Sequence, residues 1–162
     1  MSRRSPRPDG VLCATAGARV RSACKVRQIG PAGKEKPCKR QRVQALIDLV
    51  ERGRYIEALQ SFYHQDASMQ ENLDPPRHGL DRLVRGEERV MAAHREIRTR
   101  PVKTFLVEGD RAVINWIFDF VDREGRAFTL DELAFQLWRG DRIIVERFYY
   151  DPAQRGRPTS QE

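Results

Sequence analysis

The chain has 162 residues, 33% charged and 40% hydrophobic, with a formal net charge of +7. That length suits one domain with a real core, and no apolar run approaches the roughly 20 residues of a membrane span. Residues 1–42 carry 12 Lys/Arg against Asp9 and Glu35, so the remainder has a net charge of −3, which argues against nucleic acid as the partner of the folded part.

Residues 1–40 are rich in Arg, Lys, Pro, Gly and Ser and show no period of 2 or 3.6. Such a segment cannot bury enough surface to offset its ordering entropy, and it is expected to be a disordered basic extension. A basic arm for nucleic acid is the functional alternative. Cys13, Cys24 and Cys38 all fall here, without the close pairs of a zinc site. Val11-Leu12-Cys13-Ala14 is too short and diluted for a convincing signal peptide, so a cytoplasmic location is the default. A folded domain is expected over residues 41–154 and a disordered tail over 155–162.

Val43, Leu46, Ile47 and Val50 sit at helical spacing, with Gly53 ending the helix. Tyr55, Ala58, Leu59 and Phe62 give the stripe of a second helix, followed by a short strand from Ala67 to Asn72. Leu73 to Gly79, with Pro75-Pro76, reads as a loop. A third helix is expected from Glu87 to about Arg98, stopped by Pro101, and then a strand from Val102 to Val107. Arg111 to Asp122, Phe128 to Arg139 and Ile143 to Tyr150 alternate bulky apolar residues and are separated by Gly-containing turns. They form an antiparallel meander with one face in need of a cover. The fold class is therefore α+β: a curved antiparallel sheet covered by about three helices.

The order and spacing of several segments resemble the SnoaL-like branch of the nuclear-transport-factor-2-like superfamily. These are Tyr63-His64-Gln65-Asp66-Ala67, Gly79 before the third helix, Val107 to Val113, Trp138 to Ile144, and the ending Glu146 to Asp151. The resemblance covers about Gln41 to Pro152. It implies a cone-shaped fold, with a small apolar molecule held between the concave sheet and the helices, and a homodimer formed through the sheet. Polyketide cyclases, ketosteroid isomerases and epoxide hydrolases share this fold, as do proteins with no known reaction.

Strand phase nominates the chemistry. If Met69 faces inward, so does Glu71, where desolvation would raise its pKa into the range useful for proton transfer. The plainer alternative is a rim carboxylate paired with Arg77. Glu146 lies on a strand with two apolar faces, so its direction is undecided; for Glu132 a cross-strand salt bridge with Arg147 or Arg139 is expected. His94, on the apolar side of the expected third helix, is a candidate proton carrier. Glu71, His94 and Glu146 are thus the candidate catalytic residues, and Tyr63, Asn72, His78, Trp116, Phe118, Phe135 and Tyr150 the candidate ligand-binding residues. Tyrosine hydroxyls could serve a developing oxyanion. The three histidines form no metal-binding pair. No phosphate-binding loop, nucleophile elbow or domain cysteine is present, which leaves acid–base chemistry without metal or cofactor. Glu71 would be the base, and a tyrosine or His94 the donor. A non-catalytic ligand-binding or dimerisation module is the rival reading.

Overall fold

The computed structural model describes residues 38–156, so residues 1–37 of the basic extension, with Cys13 and Cys24, lie outside the described residues, as do residues 157–162; Lys39 and Arg40, expected to be disordered, form the start of the first helix. The elements are α1 (Lys39–Glu51), α2 (Tyr55–Phe62), β1 (Tyr63–Glu71), β2 (Arg77–His78), α3 (Leu80–Ala93), β3 (His94–Thr99), β4 (Phe105–Glu108), β5 (Arg111–Asp122), β6 (Ala127–Arg139) and β7 (Arg142–Tyr149). A 3-10 turn over Pro152–Gly156 closes the chain. No helix among the described residues is long and apolar enough to cross a membrane.

Helix α1 begins where Gln41 accepts a hydrogen bond from the Cys38 N–H at 3.0 Å. It ends at Gly53, whose own N–H bonds the Val50 carbonyl and whose φ of +70° lets the Arg54 N–H reach back to the Leu49 carbonyl. Its stripe, Val43, Leu46, Ile47 and Val50, is buried. Helix α2 buries Tyr55, Ala58, Leu59 and Phe62 and passes into β1 without a turn. The Tyr55 hydroxyl meets Thr99 Oγ1 at 3.0 Å, and that hydroxyl donates to the Val50 carbonyl at 3.0 Å. Helix–sheet packing here includes a buried polar stitch with its partners supplied.

The third helix departs from the sequence reading. It starts at Leu80, runs through Gly86 and stops at Ala93, so residues 94–99 are strand and not helix. Its stripe of Leu80, Leu83 and Val84 is set against the domain by Gly79, whose φ is +88°. The residues expected to be a strand over 102–107 pair only from Phe105 onward. Pro101 accounts for the gap. β3 and β4 lie end to end along β5, with Arg100 N–H bonding the Ile117 carbonyl and Asn115 N–H the Thr104 carbonyl. Between them proline has no N–H to give, and the Val102 N–H goes instead to Glu51 Oε1 at 2.7 Å.

The strands form one sheet in the order β2-β1-β7-β6-β5-β3, with β4 beside β5. It is antiparallel except where β1 runs parallel to β7, so the expected antiparallel sheet is in fact mixed. Register shifts in the β1–β7, β3–β5 and β6–β7 pairs add twist, and the sheet curls around the helices. Cross-strand rows on its concave face run Met69, Glu146, Gln136, Ala112 and Glu71, Phe148, Ala134, Ile114. A further neighbouring pair is Glu132 with Trp116. Two of these rows place acidic groups among apolar neighbours.

Candidate functional site

Between the concave sheet and the three helices lies a cavity of about 180 Å³. Its wall is largely apolar, with Met69, Ile97, Trp116, Phe118, Phe120 and Phe148 prominent. Four glutamates also line it: Glu71 from β1, Glu87 from α3, Glu132 from β6 and Glu146 from β7. A mainly hydrophobic pocket with a few convergent polar groups is the usual form of a small-molecule site.

Glu146 is the deepest of the four, 1% exposed. Its Oε1 accepts from Gln136 Nε2 at 2.7 Å, and its Oε2 accepts a short hydrogen bond from the Tyr63 hydroxyl. Gln136 is itself oriented, because Trp138 Nε1 donates to its Oε1 at 3.1 Å. Indole can only donate, so the Gln136 amide must turn its NH₂ toward Glu146. Burial pushes the Glu146 carboxyl up to about 7, although the hydrogen bonds from Gln136 and Tyr63 pull the other way. Burial and the adjacent Glu146 charge drive the Tyr63 hydroxyl well above its ordinary range, so it remains a donor. The result is a carboxyl group poised near neutrality beside a phenol that keeps its proton.

Glu71 faces the cavity, as its phase with Met69 implied, but with a different chemical character. Arg77 Nη2 donates to its Oε1 at 2.9 Å; Oε2 accepts from the Tyr150 hydroxyl at 2.6 Å and from Arg155 Nη2 at 2.9 Å. Burial raises its pKa, but the bonds from Tyr150 and Arg77 and the charges of Arg77 and Arg155 outweigh that and hold it below the usual carboxylate range. The expected elevation of Glu71 is therefore corrected, and its alternative as a rim ion pair with Arg77 describes the site. A carboxylate this well satisfied is a poor base.

Glu132 is 7% exposed. Its carboxyl group forms neither the expected salt bridge to Arg139 or Arg147 nor any other hydrogen bond among the described residues. Arg147 instead donates to the Asn72 carbonyl. Burial, with Glu146 and Glu71 nearby, lifts the Glu132 carboxyl to about 8. Glu87 is half-buried in mid-helix, and burial raises it too.

The other sequence candidates divide. Tyr63, Trp116 and Phe118 line the cavity. Tyr150 stands behind Glu71 as a hydrogen-bond donor. Asn72 is a structural corner: at a φ of 45°, its Oδ1 accepts from the Tyr150 N–H at 3.0 Å. His78 is exposed on β2, opposite Ser68. Phe135 falls on the alternate phase of β6, opposite Val113 and Arg147, away from the cavity lining. His94 does not line the cavity either, because the helix that was to carry it ends one residue earlier. Its ring packs 4.8 Å from Phe120, and its Nδ1 lies 2.8 Å from the Val90 carbonyl. Among the described residues no cluster of His, Cys, Asp or Glu is placed to hold a metal ion.

Three contributors were missed. Gln136 is fully buried on the phase of Glu132 and Trp138, and an amide on a core strand face was the available signal. Glu87, expected at the start of the third helix, sits in its middle and lines the cavity. Arg155 was placed in a disordered tail, yet the final turn is clipped to β6 by Gln154, which bonds both the N–H and the carbonyl of Asp131.

The family described as SnoaL-like domain matches residues 43–146. No curated protein sequence matches the chain. A Mesorhizobium loti protein provisionally named a SnoaL-like polyketide cyclase is 23% identical, with a TM-score of 0.62 over 68% of this chain and 97% of its own. A protein of unknown function from Burkholderia pseudomallei, described as NTF2-like, is 19% identical, with a TM-score of 0.64 over 75% and 97%. A Xanthomonas campestris protein provisionally named a polyketide cyclase is 21% identical, with a TM-score of 0.61 over 69% and 89%. At these identities the structural likeness establishes the fold: three helices on a curled sheet. Together with the match over residues 43–146, it shows that this chain belongs to the SnoaL-like domain family.

Proposed function

We propose that the domain binds a small, largely apolar molecule in its cavity and moves a proton on it through Glu146. The observation that carries this reading is the Glu146 environment: fully buried, open to the cavity lining, and held from two sides by Gln136 and Tyr63. Near pH 7 such a group is present in both protonation states, which suits a general base. A proton arriving on Oε2 turns the Glu146–Tyr63 bond around, because the new carboxyl O–H can donate to the phenol oxygen. The Tyr63 O–H is then free to donate to an oxygen of the bound molecule on which charge develops. A carbonyl or epoxide on an apolar frame is the substrate class that uses both groups.

The test is exchange of the acidic C–H of apolar ketones in deuterated buffer, followed by NMR. Glu146→Gln keeps both hydrogen-bond partners within reach but cannot accept the proton. Exchange should fall at least about 100-fold while ketone binding stays within a few-fold. Exchange undiminished in Glu146→Gln would reject Glu146 as the base.

The same reading includes association of two copies through the outer sheet face, where Leu133, Val145 and Tyr149 are exposed on neighbouring strands. Sedimentation of the full chain should give a dimer that Leu133→Lys weakens; a monomer at all concentrations would count against it.

A further inference from the structure

The carboxylates of the cavity are unequally matched by cations. Arg77 and Arg155 are the lining cations; both donate to Glu71, and Arg155 donates also to the Tyr150 hydroxyl at 2.7 Å. Glu87 and Glu132 form no ion pair among the described residues, and Glu146 is held by the neutral Gln136 and Tyr63. Glu132 stands out. It is more than nine-tenths buried, and among the described residues its carboxyl group has neither a hydrogen-bond nor an ion-pair partner. Among the described residues every fully enclosed side-chain polar atom has a partner, so the unbonded Glu132 oxygens are ones that reach the cavity space it lines. Its neighbour across the strands is Trp116, whose ring lies 5.9 Å from that of Phe118.

A buried carboxyl without a partner is costly unless something else compensates it. The face of an aromatic ring prefers positive charge, and Trp116 and Phe118 line the same cavity as Glu132. We propose that the cavity selects a molecule bearing a positively charged nitrogen, with that ammonium seated against Glu132 and the faces of Trp116 and Phe118. The inference rests on the reading of the cavity as a small-molecule site and specifies what the otherwise apolar ligand carries. The groups around Glu132 favour it. Glu146 from β7, Glu71 from β1 and Glu87 from α3 all add negative potential, and Arg155 from the final turn opposes them.

Proton linkage gives the arrangement a signature. In the free protein at neutral pH Glu132 holds its proton, its carboxyl having been lifted to about 8. A permanent cation stabilises the ionised form, so binding sends that proton to solvent and strengthens as pH rises.

Phenyltrimethylammonium and its uncharged isostere tert-butylbenzene are suitable probes on the full chain, read by NMR and calorimetry. At pH 8.5 the cation should bind at least about tenfold more tightly than the isostere, and the preference should shrink toward pH 6. Calorimetry at pH 7 in two buffers of different ionisation heat should show release of up to about one proton. Glu132→Gln should abolish both the preference and the release. If tert-butylbenzene binds as well as the cation at every pH, the inference fails and the small-molecule reading stands. If neither probe binds at millimolar concentration, both fail. A preference that survives in Glu132→Gln would remove Glu132 from the role.

Discussion

The folded domain should lose stability as pH rises from about 4.5 to about 8, the reverse of a protein held together by ordinary carboxylate ion pairs. Glu132 and Glu146 ionise near 4.5 when unfolded but are pushed up to about 8 and about 7 in the fold. Between those limits the native state holds protons that the unfolded chain has released. Their contribution is fully present below pH 4.5 and gone above the folded values. At about 1.4 kcal/mol per pH unit for each group, the pair loses on the order of 5 to 8 kcal/mol across the window. Glu71, held low by Tyr150, Arg77 and Arg155, acts only at more acid pH, where its contribution is lost as pH falls. Urea unfolding of the full chain at intervals from pH 5 to 8.5 checks this. The double variant Glu132→Gln/Glu146→Gln should lose most of that slope, the remainder coming from Glu87, which burial also raises. A wild type as flat as the variant would mean that the two carboxyls are not desolvated.

The second large effect is at Trp138, which is 2% exposed and packs edge-on against Phe62 at 6.3 Å between ring centroids. Trp138→Phe removes volume from a close-packed site and leaves the buried Gln136 Oε1 without its donor. Together these should cost about 2–4 kcal/mol. The consequence for the site is more specific than the loss of stability. Without the indole to orient it, the Gln136 amide is free to turn its oxygen toward Glu146, and the carboxylate loses a hydrogen bond that favours its charged form. The Glu146 titration should therefore move above its wild-type midpoint. A stability loss with the midpoint unchanged would show that Trp138 supports the fold but does not set the chemistry.

Much of this architecture is legible in the sequence, for identifiable reasons. β5 to β7 announce themselves through alternation of large apolar residues between Gly-containing turns, and α1 and α2 through apolar stripes at helical spacing. Helix α3 was displaced because its boundaries carry no ordinary punctuation. Gly86 looks like a start but sits inside the helix, and the chain passes from Ala93 into β3 with no intervening turn. His94 moved from helix face to strand with that boundary. The directions of Glu132 and Glu146 were unreadable because both faces of β6 and β7 are apolar, one packing inside and one outside. The register that settles them includes a shift between Leu137 and Trp138, which periodicity cannot reveal. Glu71 was oriented correctly from Met69, but its partner Arg155 lies 84 residues away, in a turn beyond the last strand. Its charge state was therefore beyond local reasoning.

The proposed chemistry depends on a single property: the carboxyl at the base of the cavity changes protonation near neutral pH. Carbon-detected NMR of the glutamate side-chain carboxyls, followed from pH 3 to 10 on the full chain, measures it without any ligand. The Glu146 midpoint should fall at about 7, far from its ordinary value near 4.5, with Glu71 titrating below that value. A Glu146 resonance that titrates together with the exposed glutamates would show that the carboxyl is not held near neutrality and cannot act as the proposed base.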